Sequence, residues 1–320
     1  MKKVLRSKAA LLGSILTCML AMGFCVASTE AEGPADKPII VCTTNVLGSI
    51  VEEFLQGGAE VVVLVRPSLC PADYDMKPSD IYAVYHSMPG EFWLQGLIEA
   101  AGNENLTLVK VPGDYNTPEG AKRCLRLVGG NLSRALSIDL EGKANEMLAD
   151  IDAAANEMSG EAQALGVVGT KVICMKWLEP FVKWLGFEVV ATFNPPETLS
   201  AADVAALVET AQREGVALVI DNLQISVEFG SGIASQAGAE HVVMTNFPGA
   251  VPGTENLAQM FRYNARQLFE GLRSWRSARA LRAEIRNLED QLALYQMAAS
   301  VAAIAAIAEA AWILVERKRQ

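Results

Sequence analysis

The sequence is poor in histidine: His86 and His241 are the only two among 320 residues. Cysteine does not make up for this shortage, because none of the six cysteines forms a CxxC pair or another spacing typical of a metal site. A histidine-rich metal site is therefore excluded, and any metal ion must be held by other side chains. We expect His86 near a helix end and His241 in a turn, as surface residues rather than ligands.

Motifs of the common enzyme classes and the charge of a nucleic-acid-binding protein are also missing. There is no G-x-S-x-G, no P-loop, no H-E-x-x-H and no glycine pattern of a dinucleotide site after a strand. The formal net charge is -10, whereas nucleic-acid binding needs a basic face. The sequence predicts neither an enzyme nor a protein that binds nucleic acid.

Apolar residues, by contrast, make up 51% of the chain and are concentrated at its two ends. Residues 1–28 start with a lysine- and arginine-rich stretch, continue with an apolar run and end in small residues, which is the layout of a secretory signal peptide. Because the apolar run is nearly long enough to span a bilayer, an uncleaved signal anchor is the alternative. A polar spacer follows at residues 29–37.

The second apolar run covers residues 297–315 and is followed by the basic tail ERKRQ at 316–320. This length and this flank predict a transmembrane helix with a short cytoplasmic tail. Glu309 inside the run either pairs with a neighbouring helix or marks an alanine-rich soluble helix instead. The two ends together predict a protein of the cell membrane whose large domain lies on the extracytoplasmic side.

Between the ends, short apolar β-branched runs alternate with helical patterns. Strands that are apolar on both faces and alternate with helices predict an α/β fold with parallel-type sheets. We predict two α/β lobes, residues 38–137 and 167–272, joined by a long linking helix at 138–166. Residues 273–296 form a predicted helical stalk that leads into the transmembrane helix.

The predicted stalk has apolar residues spaced three or four apart, which is the spacing of a coiled-coil seam. The seam covers only about two and a half heptads, so it packs either on a partner or on the lobe above it. Its residues are Ala278, Leu281, Ile285, Leu288, Leu292 and Tyr295.

Ligands of open α/β sheets collect outside the carboxyl ends of the strands. Two lobes place those ends on either side of a cleft, which is the usual location of a small ligand. The residues predicted to follow the strands are 42–45, 66–75, 112–116, 174–175, 221–222 and 244–247.

Several segments resemble the zinc/manganese solute-binding proteins of ABC transporters, in the group that uses a rigid linking helix. The resemblance spans residues 38–272. It implies a non-enzymatic binding protein that delivers its solute to ABC permease subunits in the membrane. The segments that carry it are VCTTNVLGSIVEEF, DYDMKPSDIYAVYHS, WLGFEVVATFNP, LVETAQREGVALVIDNLQIS and MFRYNARQLFEGL.

The metal ligands implied by this resemblance are changed at all four positions. Relatives have a histidine two residues before the tyrosine of the first loop, where this chain has Ala72. The second histidine corresponds to Gly113 or Asp114, the third ligand to Met175, and the final aspartate to Asn246. The resemblance therefore implies a divergent member whose metal site is altered or lost.

One interpretation keeps a metal ion of softer character as the transported solute. Cys70 lies two residues before Ala72, and Cys174 immediately precedes Met175. Sulfur ligands select soft ions such as Cu(I). In the alternative interpretation, Cys174 and Met244 are ordinary inward side chains of buried strands. An oxidising exterior also allows a disulfide between Cys70 and Cys174.

The other interpretations use oxygen and amide groups of the cleft, or no ligand. A hard ion such as Mn²⁺ or Ca²⁺ would use carboxylates, namely Asp73, Asp75, Asp114 and Asp221. A small organic or anionic ligand would use polar contacts, namely Arg66, Tyr74, Tyr115 and Asn222. A tethered domain that only contacts the permease is the remaining alternative, and the sequence leaves the solute and the oligomeric state open.

Overall fold

The computed structural model describes residues 37–65, 84–86, 109–111 and 113–319. The predicted signal peptide therefore lies outside the described residues, and so does the loop with Cys70, Ala72, Asp73 and Tyr74. For residues 84–86 the description covers the backbone only.

The first lobe contains a parallel four-stranded sheet in the order β2-β1-β3-β4. Helix α1, Asn45–Leu55, follows β1 directly, and its buried side chains include Leu47, Ile50 and Phe54. The strands are β1, Ile39–Thr44, β2, Glu60–Val65, β3, Val84–His86, and β4, Val109–Val111. His86 thus ends a strand, and its expected place at a helix end is wrong.

The second lobe repeats this arrangement with a parallel sheet in the order β6-β5-β7-β8. The strands are β5, Lys171–Met175, β6, Glu188–Phe193, β7, Leu218–Asn222, and β8, Glu240–Met244. Every residue of β7 is buried, as expected of a parallel strand covered on both faces. His241 lies within β8, so its expected place in a turn is also wrong. Two separate parallel sheets confirm the predicted fold class.

The helices form because the local sequence supplies their ends. In the first lobe and the connection, α2 is Pro118–Leu136 and α3 is Glu141–Leu165. In the second lobe, α4 is Glu179–Trp184, α5 is Ala201–Glu214 and α6 is Phe229–Ala237. Thr117 caps α2 by accepting a hydrogen bond from the Gly120 N–H, and Ser200 and Asp203 form a capping box at the start of α5.

The connection between the lobes consists of two helices, α2 and α3, and α3 covers most of the range 138–166 predicted for the linking helix. The chain turns between α2 and α3 at Ser137, whose backbone is left-handed with φ of 53°. Helix α3 then buries one apolar face, with Met147, Ile151 and Met158 among its members. The exact lobe boundaries remain a prediction.

The last helix, α7, runs without a break from Leu257 to Arg319 and has 63 residues. Its first part packs on the second lobe and on α3, where Arg262 forms ion pairs with Asp150 and Glu157. Among the described residues α7 is the one helix long and apolar enough to cross a membrane. Its most apolar stretch has a mean hydropathy of 2.0 and is not buried in the fold.

Candidate functional site

The carboxyl ends of the strands from the two lobes meet at a narrow interlobe cleft. Asn45, at the start of α1, donates a side-chain hydrogen bond to the carbonyl oxygen of Pro248. Nearby, the Asn116 Nδ2 donates to the carbonyl oxygen of Trp177 at 3.3 Å. The start of α1 therefore contacts the loop after β8, and the loop after β4 contacts the segment after β5. This is the arrangement expected of a two-lobed binding protein.

A polar network forms the second lobe's side of the cleft. The Gln224 Nε2 donates to the Thr245 Oγ1 at 2.9 Å, and the Gln224 Oε1 accepts from the Asn246 N–H at 3.2 Å. The backbone N–H of Gln224 donates to the Asn222 Oδ1 at 2.9 Å. Gln224 thus joins the loop after β7 to the loop after β8 and fixes where Asn222 and Asn246 lie.

Asn264 connects this network to α7. Its Oδ1 accepts from the Thr245 N–H at 3.0 Å, and its Nδ2 donates to the Thr245 carbonyl oxygen at 2.6 Å. Asn264 is only 3% exposed, and a buried side-chain amide is stable only when its hydrogen bonds are formed. The sequence reasoning missed Gln224, Thr245 and Asn264. A signal existed for Asn264, since it interrupts an apolar face of α7 between Phe261 and Leu268.

Three buried polar atoms at the carboxyl ends of the strands have no hydrogen-bond partner in the described part of the chain. They are the Thr44 Oγ1, the Asn222 Nδ2 and the Asn246 Oδ1, and a fourth such atom, the Asp221 Oδ1, belongs to the carboxylate that contacts Gly230 and His241. Most buried polar atoms in proteins are paired. Thr44 ends β1 and precedes Asn45, while Asn246 lies two residues before Pro248. Unpaired groups from both lobes therefore flank the interlobe contact.

The space between these groups is small. A cavity of about 10 Å³ lies among Asn116, Trp177, Phe181 and Asn246, which is room for roughly one water molecule. Among the described side-chain atoms that line this cavity, the Asn246 Oδ1 is the one that is buried and unpaired. Among the described residues, this cavity therefore has room for a single atom or water.

The predicted sulfur ligands of the second lobe belong to the core. Cys174 and Met175 end β5, and both have 0% exposure. Burial, and secondarily the charge of Glu179, raises the pKa of the Cys174 thiol well above its usual range. Because the thiolate is the metal-binding form, a buried thiol with a raised pKa is a poor ligand. The Met175 Sδ accepts a hydrogen bond from the Trp177 N–H at 3.4 Å.

The carboxylates that are described point to different partners. Asp114, after β4, forms an ion pair with Arg123. Asp221 in β7 accepts from the Gly230 N–H at 2.8 Å and lies 3.0 Å from the His241 Nε2. Among the described residues there is no group of three or more His, Cys, Asp or Glu side chains that could hold a metal ion. The structure thus brings Asn222 and Asn246 into one network and leaves Asp114 apart from it.

Comparisons with known proteins give one family match over part of the chain and a shared fold. The family model of the periplasmic zinc-uptake complex component A, ZnuA, matches residues 117–271. No curated protein sequence matches the chain.

Three solved structures have the same fold at low sequence identity. The periplasmic zinc-binding protein TroA from Treponema pallidum has a TM-score of 0.64 and 14% identity, covering 74% of this chain and 99% of that chain. A crystal structure of ZnuA gives 0.59 and 18%, with 74% and 99% covered. The solute-binding protein FpvC from Pseudomonas aeruginosa, in complex with Ni²⁺, gives 0.60 and 13%, with 74% and 97% covered. These likenesses establish the fold.

Proposed function

We propose that this chain is a member of the ZnuA family, whose model matches residues 117–271, and that it is the membrane-tethered, extracytoplasmic binding component of a metal-type ABC transporter. The two-lobed fold with a cleft supports solute binding. The apolar stretch of α7 and its basic flank support the tether. The partner is then a set of ABC permease subunits in the same membrane.

We also propose that the metal site of the relatives is altered in this chain. The observation that carries this proposal is the set of unpaired buried groups at the strand ends: two side-chain amides and a hydroxyl, at Asn222, Asn246 and Thr44. The one carboxylate oxygen among them belongs to Asp221, whose other oxygen contacts Gly230 and His241. Zinc sites are built from thiolates, imidazoles and carboxylates. The described groups do not fit a closed zinc site, and a metal ion as solute would depend on Cys70 or Asp73 from the loop outside the described residues.

A polar organic solute is the second candidate, and the unpaired atoms favour it. Thr44 and Asn222 are each 1% exposed, so a solute that hydrogen-bonds to them would satisfy groups that are otherwise costly to bury. An amide and a hydroxyl bind neutral donors and acceptors without needing a counter-charge. A domain that contacts the permease without any solute is the remaining possibility.

The decisive experiment is a titration of the full chain, reduced and free of metal in detergent, with Zn²⁺, Mn²⁺ and Cu(I). The test variant carries Cys70→Ser together with Cys174→Ser. The matched control is Cys124→Ser, because Cys124 is as buried as Cys174 but lies in α2. The altered-site proposal predicts weak Zn²⁺ binding in the unmodified chain.

Each outcome separates the candidates. Cu(I) binding that is lost in the double variant and kept in the control would support a soft-metal solute. Tight Zn²⁺ binding that survives the double substitution would contradict the altered site. If no ion binds, the polar solute is favoured, and Asn246→Ala should then weaken binding of that solute in a screen of small polar compounds.

The tether is tested separately by fractionation and proteolysis of cells. The unmodified protein should sediment with membranes, and protease added outside intact cells should remove the large domain while sparing the extreme C-terminus. Recovery of the full-length chain in the soluble fraction would contradict anchoring without affecting the conclusions about the cleft.

A further inference from the structure

The exposed part of α7 has an apolar seam without a partner among the described residues. The seam consists of Ala278, Leu281, Ile285, Leu288, Leu292 and Tyr295, and its large members are between 46% and 70% exposed. Single exposed apolar residues are ordinary, but a continuous row at three- and four-residue spacing marks a contact surface. The lobe above does not cover it.

The face of α7 that turns toward the lobe is a different one. Trp275, Arg279, Arg282 and Arg286 line a groove of about 600 Å³ together with residues 215–216 and 237–238. Of the seam residues only Ile285 borders this groove. At 100° per residue the seam lies roughly 120° around the helix from these arginines. A second helix can therefore lie along the seam without meeting the lobe.

The seam continues in the same register into the apolar stretch. Steps of four and three residues after Tyr295 lead to Ala299, Ala302, Ala306, Glu309 and Ile313. Small residues let two membrane helices approach closely. This register places Glu309, the one charged residue within 297–315, on the contact face rather than against lipid.

We propose that α7 pairs with α7 of a second copy of this chain, in parallel and in register, from Ala278 through Ile313. Ala278, Ile285 and Leu292 fall at a positions, and Leu281, Leu288 and Tyr295 fall at d positions. The isoleucine at a between leucines at d favours two parallel strands. The evidence for a contact along the seam is the exposure of its residues. The parallel orientation depends on the proposed anchoring, which places both C-termini on one side of the membrane.

The charged rim of this pair contains a repulsive contact. In a parallel pair Glu284, at a g position, faces Glu289 of the second copy at an e position. Two such contacts occur by symmetry. Glu284→Lys should convert both to attraction and tighten the pair by about tenfold. Asp290→Lys makes the same charge change at an outward position and should leave the affinity unchanged.

Cross-linking of the full chain in membranes tests orientation and register. Leu281→Cys and Tyr295→Cys, near the two ends of the seam, should each give a covalent dimer with a short bismaleimide reagent. Ala283→Cys, at an outward position, is the control, and the unmodified chain shows what the native cysteines contribute. All of these positions are exposed, so folding is not at risk.

The outcomes are distinct. Dimers from both seam positions and none from the control support the proposal, and tighter pairing of Glu284→Lys supports it further. A dimer from only one seam position means that the helices meet there but not along the whole seam and overturns the proposal, as does the absence of any dimer above the unmodified chain, which is the result expected of an antiparallel pair that brings 281 against 295. We also record whether the protein itself sediments with membranes. This separates failure of the membrane anchor from failure of the two helices to pair.

Discussion

The first and second parts of α7, residues 257–275 and 276–319, are both rich in apolar residues but lie in opposite environments. Within 257–275, Leu257, Phe261, Leu268 and Phe269 are almost completely buried. Beyond Trp275, the leucines and isoleucines are about half exposed or more, although the helix continues without a break. The first half is part of the second lobe's core, whereas the second half must find its partner outside the fold, in a bilayer or in another chain.

The largest effect should come from the core of the first half. Phe269→Ala removes a fully buried ring and should lower the free energy of unfolding by about 3–5 kcal/mol. The matched change in the second half, Leu288→Ala, should cost less than about 0.5 kcal/mol in detergent-solubilised monomer. Urea unfolding followed by tryptophan fluorescence measures both. Equal losses would show that the second half packs on the lobe.

In the second half, a new charge should impair membrane insertion, whereas removing an apolar side chain should have little effect on stability. Ile307→Arg places a guanidinium near the middle of the apolar stretch and should reduce membrane insertion by about 2.5–3.5 kcal/mol. Ile285→Arg, on the stalk, is the control and should leave the protein in the membrane fraction. Membrane fractionation after alkaline extraction measures the difference. An unchanged distribution of Ile307→Arg would contradict the transmembrane assignment.

Sequence reasoning succeeded where the physical signal is local. Runs such as LVIDN are buried on both faces because parallel strands are covered by helices, so alternation with helical periods was enough to predict the two lobes. The spacing from Ala278 to Tyr295 likewise identified the seam. No local signal said whether the seam packs on the lobe, and the exposure of Leu288 and Leu292 answers that question.

The rest of the candidate site could not be predicted because it depends on contacts between distant segments. The pairing of Asn264 with Thr245 and of Gln224 with Asn246 joins three elements that periodicity treats separately. For His241, which precedes the run VVM, the sequence predicts a turn. It lies in β8, where Asp221 of the adjacent strand faces it, and only the strand order reveals that neighbour. Whether Asn222 and Asn246 bind a solute stays a prediction.

The first half of α7 also differs from the second in how it is connected to the cleft. Asn264→Ala removes two hydrogen bonds to the Thr245 backbone and leaves a buried N–H and C=O unpaired, so it should cost about 1–3 kcal/mol. Asn287→Ala, an exposed asparagine of the second half, should cost almost nothing. Urea unfolding compares them, and equal stability of the two variants would mean that the Thr245 contact contributes little.

The smallest effect concerns Glu53, which lies against the residue that precedes α7. Burial raises the pKa of the Glu53 carboxyl, while its hydrogen bond from Asn256 opposes the rise. A carboxyl whose pKa is higher in the folded state costs stability above that pKa, and this cost disappears as the pH falls through it. Glu53→Gln should therefore stabilise the protein at neutral pH by less than about 1 kcal/mol, with the gain shrinking toward acid pH.

Asp290→Asn, on the exposed half, is the control and should show no such pH dependence. Thermal unfolding of the three proteins between acid and neutral pH measures this, and a gain that grows toward acid pH would contradict the assigned direction.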